Sequence, residues 1–320
     1  MRKKYDYDPS IAWGGWFINW VVRIFIKPRW TVWYINRLLG FLPWVKPTRR
    51  HLERSKISIE GYEGGKVNLF IYRPHKRKKD EPALIYFHGG GFYIAAQPHH
   101  FDFAMDYATQ LDCPCIFVDY RLALEHPYPV GVEDCYAALE YIYQEAEALG
   151  IDPKRIAIGG DSAGGALCAA VAQMARDRGG PEVCCQMLIY PATDNRADSN
   201  SAITCETTLI FDAEHNRTMW EIYLKNHNGG DISPYAAPSR ANSFKNLPPM
   251  YVATAEYDPL RDEGIDYARK LQEAGVEVVL HQTQKTFHGY DLFKKSAVSQ
   301  KEMKKRYAFL KRHLHRESAA

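Results

Sequence analysis

The stretch richest in chemical possibility is Ile156-Ala157-Ile158-Gly159-Gly160-Asp161-Ser162-Ala163-Gly164-Gly165-Ala166. An apolar run ends in small residues around one serine, and Leu167, Ala170, Val171 and Met174 follow at helical spacing. The pattern predicts strand, tight turn and helix with Ser162 at the corner. Gly160-Asp161-Ser162-Ala163-Gly164 fits the G-x-S-x-G nucleophile elbow, in which a serine hydroxyl is presented for acyl transfer. The glycines are needed because a helix can start hard against a strand only where no Cβ intervenes. At the helix N-terminus, free backbone N–H groups favour negative charge developing beside the serine. Glycine-rich strand-to-helix turns also bind phosphates, so a serine nucleophile requires a base, an acid and an oxyanion hole from elsewhere.

Three other motifs can supply them. Ile85-Tyr86-Phe87-His88-Gly89-Gly90-Gly91-Phe92 reads as a strand ending in glycines, able to aim backbone N–H groups into a pocket beside that of Ala163. His88 belongs to that turn and reads as a residue holding it. Asp258, in Ala255-Glu256-Tyr257-Asp258-Pro259, is an acid just after a strand, where a carboxylate can reach across the sheet's C-terminal edge. Taken alone it would more often be a loop or cap residue than a catalytic one. Asp262 and Glu263 read as N-cap and first-turn residues of the next helix. His288, in Thr286-Phe287-His288-Gly289-Tyr290, follows both Ser162 and Asp258, giving the chain order Ser…Asp…His. Asp161 then reads as structural. His99-His100 and His313/His315 read as solvated or helix-face histidines, and no metal site is expected.

The elements that must position these groups alternate along the chain. Lys56–Ile59 and Lys66–Tyr72 alternate apolar and polar around glycines and predict an antiparallel edge pair. Ala83–Phe87, Cys115–Asp119, Ile156–Ile158, Gln186–Tyr190, Met250–Ala255 and Val276–His281 are compact apolar runs, expected as strands buried on both faces. Helical patterns over His99–Leu111, Val130–Leu149, Ala163–Asp177, Asp262–Ala274 and Ser296–Leu314 separate them. This is an α/β chain with an eight-stranded, mostly parallel sheet wrapped by helices. Residues 1–50 read as an N-terminal helical segment, 51–196 and 231–320 as the core, and 197–230, more polar, as an insertion above the sheet.

The N-terminal segment is aromatic and basic. Trp13, Phe17, Trp20 and Ile24 repeat at helical spacing, Pro28 interrupts, and Val32, Ile35, Leu39 and Leu42 resume the repeat, with Trp44 just beyond. Residues 1–50 carry ten Lys and Arg against Asp6 and Asp8, a local +8 in a chain of net +3, so the remainder is about −5. A lid over a pocket is the favoured reading, ahead of a membrane-surface anchor through residues 11–45. The modest total charge implies no nucleic-acid partner. Seven cysteines without paired spacing read as reduced core residues of a cytoplasmic protein, and Met1-Arg2-Lys3-Lys4 followed by Tyr5-Asp6 does not read as a signal peptide.

Together these motifs resemble the hormone-sensitive-lipase-like family of α/β-hydrolases, with many bacterial esterases, from about Tyr72 to Leu314. The likeness rests on His88-Gly89-Gly90-Gly91-Phe92, Asp119-Tyr120-Arg121-Leu122-Ala123-Leu124-Glu125-His126-Pro127, Gly160-Asp161-Ser162-Ala163-Gly164-Gly165, Ser233-Pro234-Tyr235-Ala236-Ala237-Pro238, Asp258-Pro259-Leu260-Arg261-Asp262-Glu263 and Phe287-His288-Gly289. It implies the α/β-hydrolase fold with a helical cap, nucleophile Ser162, acid Asp258, base His288, and oxyanion donors at Gly90, Gly91 and Ala163, with Gly89 shaping the turn. Leu124 replaces the family's usual proline and Ala95 stands where glycine is common. The implied activity is hydrolysis of short-chain acyl esters without a cofactor. Acetylated sugars, small amides or lactones are the alternative substrates. Plant gibberellin receptors use this fold as a binding module but lack the histidine that His288 supplies here. The partner is a small-molecule ester, and a homodimer is compatible with the family.

Overall fold

The computed structural model describes residues 5–25, 29–41, 45–76 and 78–315. Arg2 to Lys4, Lys27, Pro28, Leu42 and Trp44, part of the N-terminal reading, lie outside them, as do the side chains of Ile24 and Trp30.

Eight strands, β1 (Leu52–Glu60), β2 (Lys66–Pro74), β3 (Glu81–Phe87), β4 (Cys115–Asp119), β5 (Ile151–Asp161), β6 (Cys185–Ile189), β7 (Met250–Tyr257) and β8 (Val278–Phe287), form one sheet. The order is β1-β2-β4-β3-β5-β6-β7-β8. β2 is antiparallel to both neighbours, with Lys56 opposite Phe70 and Phe70 opposite Phe117, and the remaining pairs are parallel. The alternation of β1 and β2 thus marks an antiparallel edge, as the sequence pattern predicts. From β3 the chain moves outward to β4 and then crosses back to β5. That reversal opens a crevice at the C-terminal ends of β3 and β5, where α/β sheets bind ligands.

β3 and β6 are buried throughout, and β4 is buried up to Asp119, so both faces of the central sheet are covered. α3 (Pro98–Leu111), α4 (Val130–Gln144), α5 (Ala146–Leu149), α6 (Ala163–Asp177), α9 (Arg261–Glu273) and α10 (Ala297–Leu314) supply the cover. The 130–149 pattern is therefore two helices, parted at Glu145, whose ψ of 13° departs from the helical value. β8 also differs from expectation. It is a half-buried edge strand that runs on through Gln282, Gln284 and Lys285, because an edge strand faces solvent on one side and accepts polar residues there. Inside 197–230 the structure has α7 (Asn200–Thr204) and α8 (Ala213–Tyr223).

The N-terminal segment forms α1 (Pro9–Phe25) and α2 (Arg29–Leu39). Asp8 starts α1, its Oδ1 accepting from Ser10 N at 2.9 Å, with proline in the first turn. The packed face of α1 is Ile11, Gly15, Asn19 and Val22, not the tryptophan row. Glycines decide this: a Cβ on Gly15 would lie 2.5 Å from Phe287 Cζ, and one on Gly14 would collide with the Phe293 ring. Only a surface without side chains can approach so closely, so Trp13, Trp16, Phe17 and Trp20 are turned outward.

Candidate active site

Ser162 caps α6 with φ 56° and ψ −121°, a conformation that non-glycine residues avoid. The turn tolerates it because its neighbours lack side chains. A Cβ on Gly160 would strike the backbone of Gly164, and one on Gly164 would strike Phe87 O. The strand-to-helix corner is thus packed backbone to backbone. Ser162 N donates to Ile189 O at 2.8 Å, tying the corner to β6.

The other predicted groups converge on this corner. Ser162 Oγ lies 2.9 Å from His288 Nε2, and His288 Nδ1 lies 2.7 Å from Asp258 Oδ2. With Nδ1–H donating to the carboxylate, Nε2 presents its lone pair to the serine hydroxyl. All three residues are buried. Asp258 Oδ1 also accepts from Leu260 N at 2.9 Å, which fixes the carboxylate's plane. The His288 ring packs 4.6 Å from the rings of both Tyr190 and Phe211. Tyr190 is held in turn: its hydroxyl donates to Asp291 at 2.6 Å, and the fully buried Arg306 guanidinium donates to the other oxygen at 2.6 Å. Nothing in the sequence around Arg306 marks it, since it lies in the basic run of a C-terminal helix.

Gly90 and Gly91, with φ 116° and 60°, adopt conformations that side chains rarely permit. Ala163 is the first residue of α6, where backbone N–H groups have no intrahelical acceptor. His88 is structural, as read. Its Nδ1 donates to Gly89 O at 2.6 Å, and its ring stacks 4.4 Å from Tyr120, whose hydroxyl holds His88 O at 2.7 Å. Burial, reinforced by the nearby His100 charge, lowers the His88 pKa to about 3.

His99 and His100 follow the helix-face alternative of the sequence reading and not the solvated one, since both stand in the first turn of α3. His100 is buried, with Nε2 3.4 Å from Asp161 Oδ2, and both line the pocket. His313 is also buried, against Phe309. The reason is the same in each case: a packed helix face offers imidazole an aromatic or carboxylate neighbour. Burial raises the Asp161 pKa, but the His100 charge and hydrogen bonds from His100 and Tyr86 outweigh it, holding the carboxyl below its ordinary range. Asp161 is structural in the expected sense that it does not join the Ser162–His288–Asp258 chain.

The pocket over Ser162 has a volume of about 130 Å³. Ile18 and Val22 of α1 wall one side, with Tyr93, Phe211 and Leu292 elsewhere. α2 does not line it but grips its rim: Asn36 Nδ2 donates to Tyr93 O at 2.7 Å, and Asn36 Oδ1 accepts from Ala95 N at 2.9 Å. The sequence reading also missed His215 of α8. Its Nδ1 donates to Asp212 Oδ1 at 2.7 Å, it lines the pocket, and its buried Nε2 has no hydrogen-bond partner among the described residues. An Asp-x-x-His spacing at a helix start is the signal that could have found it, because Asp212 is also the N-cap. No cluster of His, Cys, Asp or Glu suited to a metal ion occurs among the described residues, and all seven cysteines are free.

Comparison with known proteins agrees with this architecture. A family model for the alpha/beta hydrolase fold matches residues 84–292. The esterase LipI of Mycobacterium tuberculosis is 37% identical over 247 residues, 77% of either chain. The carboxylesterase NlhH of the same species is 39% identical over 237 residues, covering 72% of this chain and 73% of that one. The structure of a bacterial heroin esterase superposes with a TM-score of 0.87 at 36% identity, over 97% of this chain and 98% of that one. The chain belongs to the hormone-sensitive-lipase-like family of α/β-hydrolases and is a carboxylic ester hydrolase.

Proposed function

We propose that the protein hydrolyses short-chain acyl esters through a Ser162–His288–Asp258 triad. The observation that carries the reading is the continuous hydrogen-bond chain, 2.9 Å from Ser162 Oγ to His288 and 2.7 Å from His288 to Asp258, at the floor of a closed-in pocket. His288 Nε2 takes the hydroxyl proton as Oγ attacks the ester carbonyl, and Asp258 orients and stabilises the resulting imidazolium. The N–H groups of Gly90, Gly91 and Ala163 receive the negative oxygen, each such donor contributing about 3 kcal/mol to transition-state stabilisation. Collapse of the tetrahedral intermediate breaks the ester bond, and His288 returns the proton to the departing alcohol. Water, deprotonated by the same imidazole, then releases the acid from Ser162.

The preference for short acyl groups is argued from volume. The pocket of about 130 Å³ is walled close to Ser162 by Ile18, Val22, Tyr93, Phe211 and Leu292, which leaves a long acyl chain little room. The N-terminal helices and the 197–230 insertion act as its cap, with α1 closing one wall and α8 another. Purified protein is tested on p-nitrophenyl esters from acetyl to decanoyl, with Ser162→Ala as the control. The expected result is a maximum of kcat/KM between acetyl and hexanoyl and a loss of about 10⁴-fold or more in the variant. Retention of most hydrolysis by Ser162→Ala sinks the triad, and a decanoyl optimum sinks the chain-length assignment.

A further inference from the structure

Most soluble chains scatter their exposed apolar residues singly. Among the described residues of this chain eleven large hydrophobic side chains are exposed, and nine of them lie between Trp13 and Val45. On α1 they are Trp13, Trp16, Phe17 and Trp20, exposed by 56–81% at a spacing that forms one helical face. Leu38 and Phe41, 73% and 67% exposed, extend the surface at the end of α2. The ordinary reason for aromatic residues on an amphipathic helix is burial against the core. Here that reason is closed off, since Gly14 and Gly15 hold the opposite face against Phe287 and Phe293.

The charge of the segment narrows what covers this face. From Pro9 to Leu52 the sequence has seven Lys and Arg and no Asp or Glu. Arg37 lies over the Trp33 ring at 4.5 Å, a cation beside an interfacial aromatic. Lys46 and Arg49 pair with Asp102 and Asp106 of α3, and of the other basic residues Arg23, Arg29 and Arg37 lie within the two helices. A symmetric dimer through this patch would set the same cationic surface against itself, because a two-fold interface uses one patch twice. A surface of single negative sign with an apolar interior satisfies both the charge and the tryptophans. No described helix is long and apolar enough to cross a membrane, so the mode is lying on the surface.

We propose that the outer face of α1 and the end of α2 dock on an anionic lipid surface, seating the tryptophans at headgroup depth. Ile18 and Val22, on the other side of α1, line the pocket. Docking therefore places the pocket's wall one helix thickness from the acyl chains, where apolar esters concentrate. That consequence rests on the ester-hydrolysis reading, whereas docking itself does not.

The full-length protein is sedimented with sucrose-loaded phosphatidylcholine vesicles, with and without phosphatidylglycerol, at low and high salt. Phosphatidylglycerol is expected to raise the partition coefficient at least about tenfold at low salt, and salt to reverse it. Trp16→Ser with Trp20→Ser is expected to lower the partition about tenfold or more while p-nitrophenyl acetate turnover stays unchanged. Ser162→Ala is expected to bind vesicles as the wild type does, so a failed triad assignment remains distinct from failed docking. Quenching of wild-type tryptophan fluorescence by brominated acyl chains gives a readout that needs no variant. Protein left in the supernatant with phosphatidylglycerol vesicles, or absence of quenching, overturns the proposal. So does a solution dimer that the double substitution dissociates without any vesicle binding, which would assign the face to a second copy.

Discussion

Asp161 Oδ1 accepts a hydrogen bond from the Gly89 N–H at 3.1 Å. The residue before Ser162 thereby holds the first glycine of the loop proposed to shape the oxyanion site. Tyr86 donates to the same oxygen and His100 faces the other at 3.4 Å, so the carboxylate is anchored as well as anchoring. A Cβ on Gly89 would collide with this carboxylate, which fixes why that position is glycine.

Asp161→Asn should therefore misplace the oxyanion donors without touching the triad. The amide turns an N–H₂ toward either Gly89 or His100, and neither accommodates it as the carboxylate did. Because those donors act mainly on the transition state, kcat should fall about 10- to 100-fold with KM changed by less than about threefold. A purely structural role would instead lower Tm and the active fraction, leaving kcat per active site, counted by fluorophosphonate titration, intact.

His215 should sort substrates by the polarity of their alcohol. Its Nδ1 is committed to Asp212, which leaves Nε2 to meet the substrate, and Phe211 joins its ring to that of His288 through centroid distances of 6.2 and 4.6 Å. In the proposed mechanism His288 protonates the leaving alcohol, which places that alcohol on the His288 side. A hydroxyl on that alcohol can hydrogen-bond Nε2, and a simple alkyl group cannot. We expect His215→Leu to reduce kcat/KM for glycerol or sugar acetates about 5- to 50-fold relative to ethyl acetate, the worth of one hydrogen bond in a dry site. Equal losses on both substrates would remove this role. A confirmed selectivity would favour the acetylated-polyol reading over the simple alkyl ester.

Acid should destabilise the fold through His88. Its pKa of about 3 in the folded state lies below the ordinary value near 6.5, so the unfolded chain binds the extra proton between those values. Stability from this group is complete above pH 6.5 and is lost as pH falls toward 3, at up to about 1.4 kcal/mol per pH unit. Burial also holds the His99 pKa down, which adds in the same direction. Glu263, raised by burial, opposes both across part of that range. Comparing variants cancels that opposition. Urea unfolding of His88→Asn from pH 7 to 5 should show lower stability at pH 7 but a slope shallower by up to one proton. An unchanged slope would mean that His88 already titrates normally in the fold.

The sequence carries the fold and the three residues of the proposed triad legibly because each rests on a local pattern: strand periodicity, a glycine corner, a chain order. Ser162, Asp258 and His288 each follow a strand, and a strand's end fixes a side chain closely. Asn36 escapes such reading because the partners of its side chain, the backbone of Tyr93 and Ala95, are far away in the chain. The contacts of His100 with Asp161 and of Arg306 with Asp291 likewise cross between elements. The packed face of α1 escapes the sequence for a related reason. Periodicity reports that α1 has two faces but not which one packs, and here two glycines outweigh four aromatics.

Asn36 grips main chain only, one amide closing a two-bond clasp across a single turn of the pocket rim. Such a clasp is indifferent to the side chains it spans. The residues at 93 and 95 can therefore vary to reshape the entrance while the fastening persists. The entrance is in that sense an editable part: selectivity can drift there by single substitutions, with the loop that handles the developing charge kept in register beneath it.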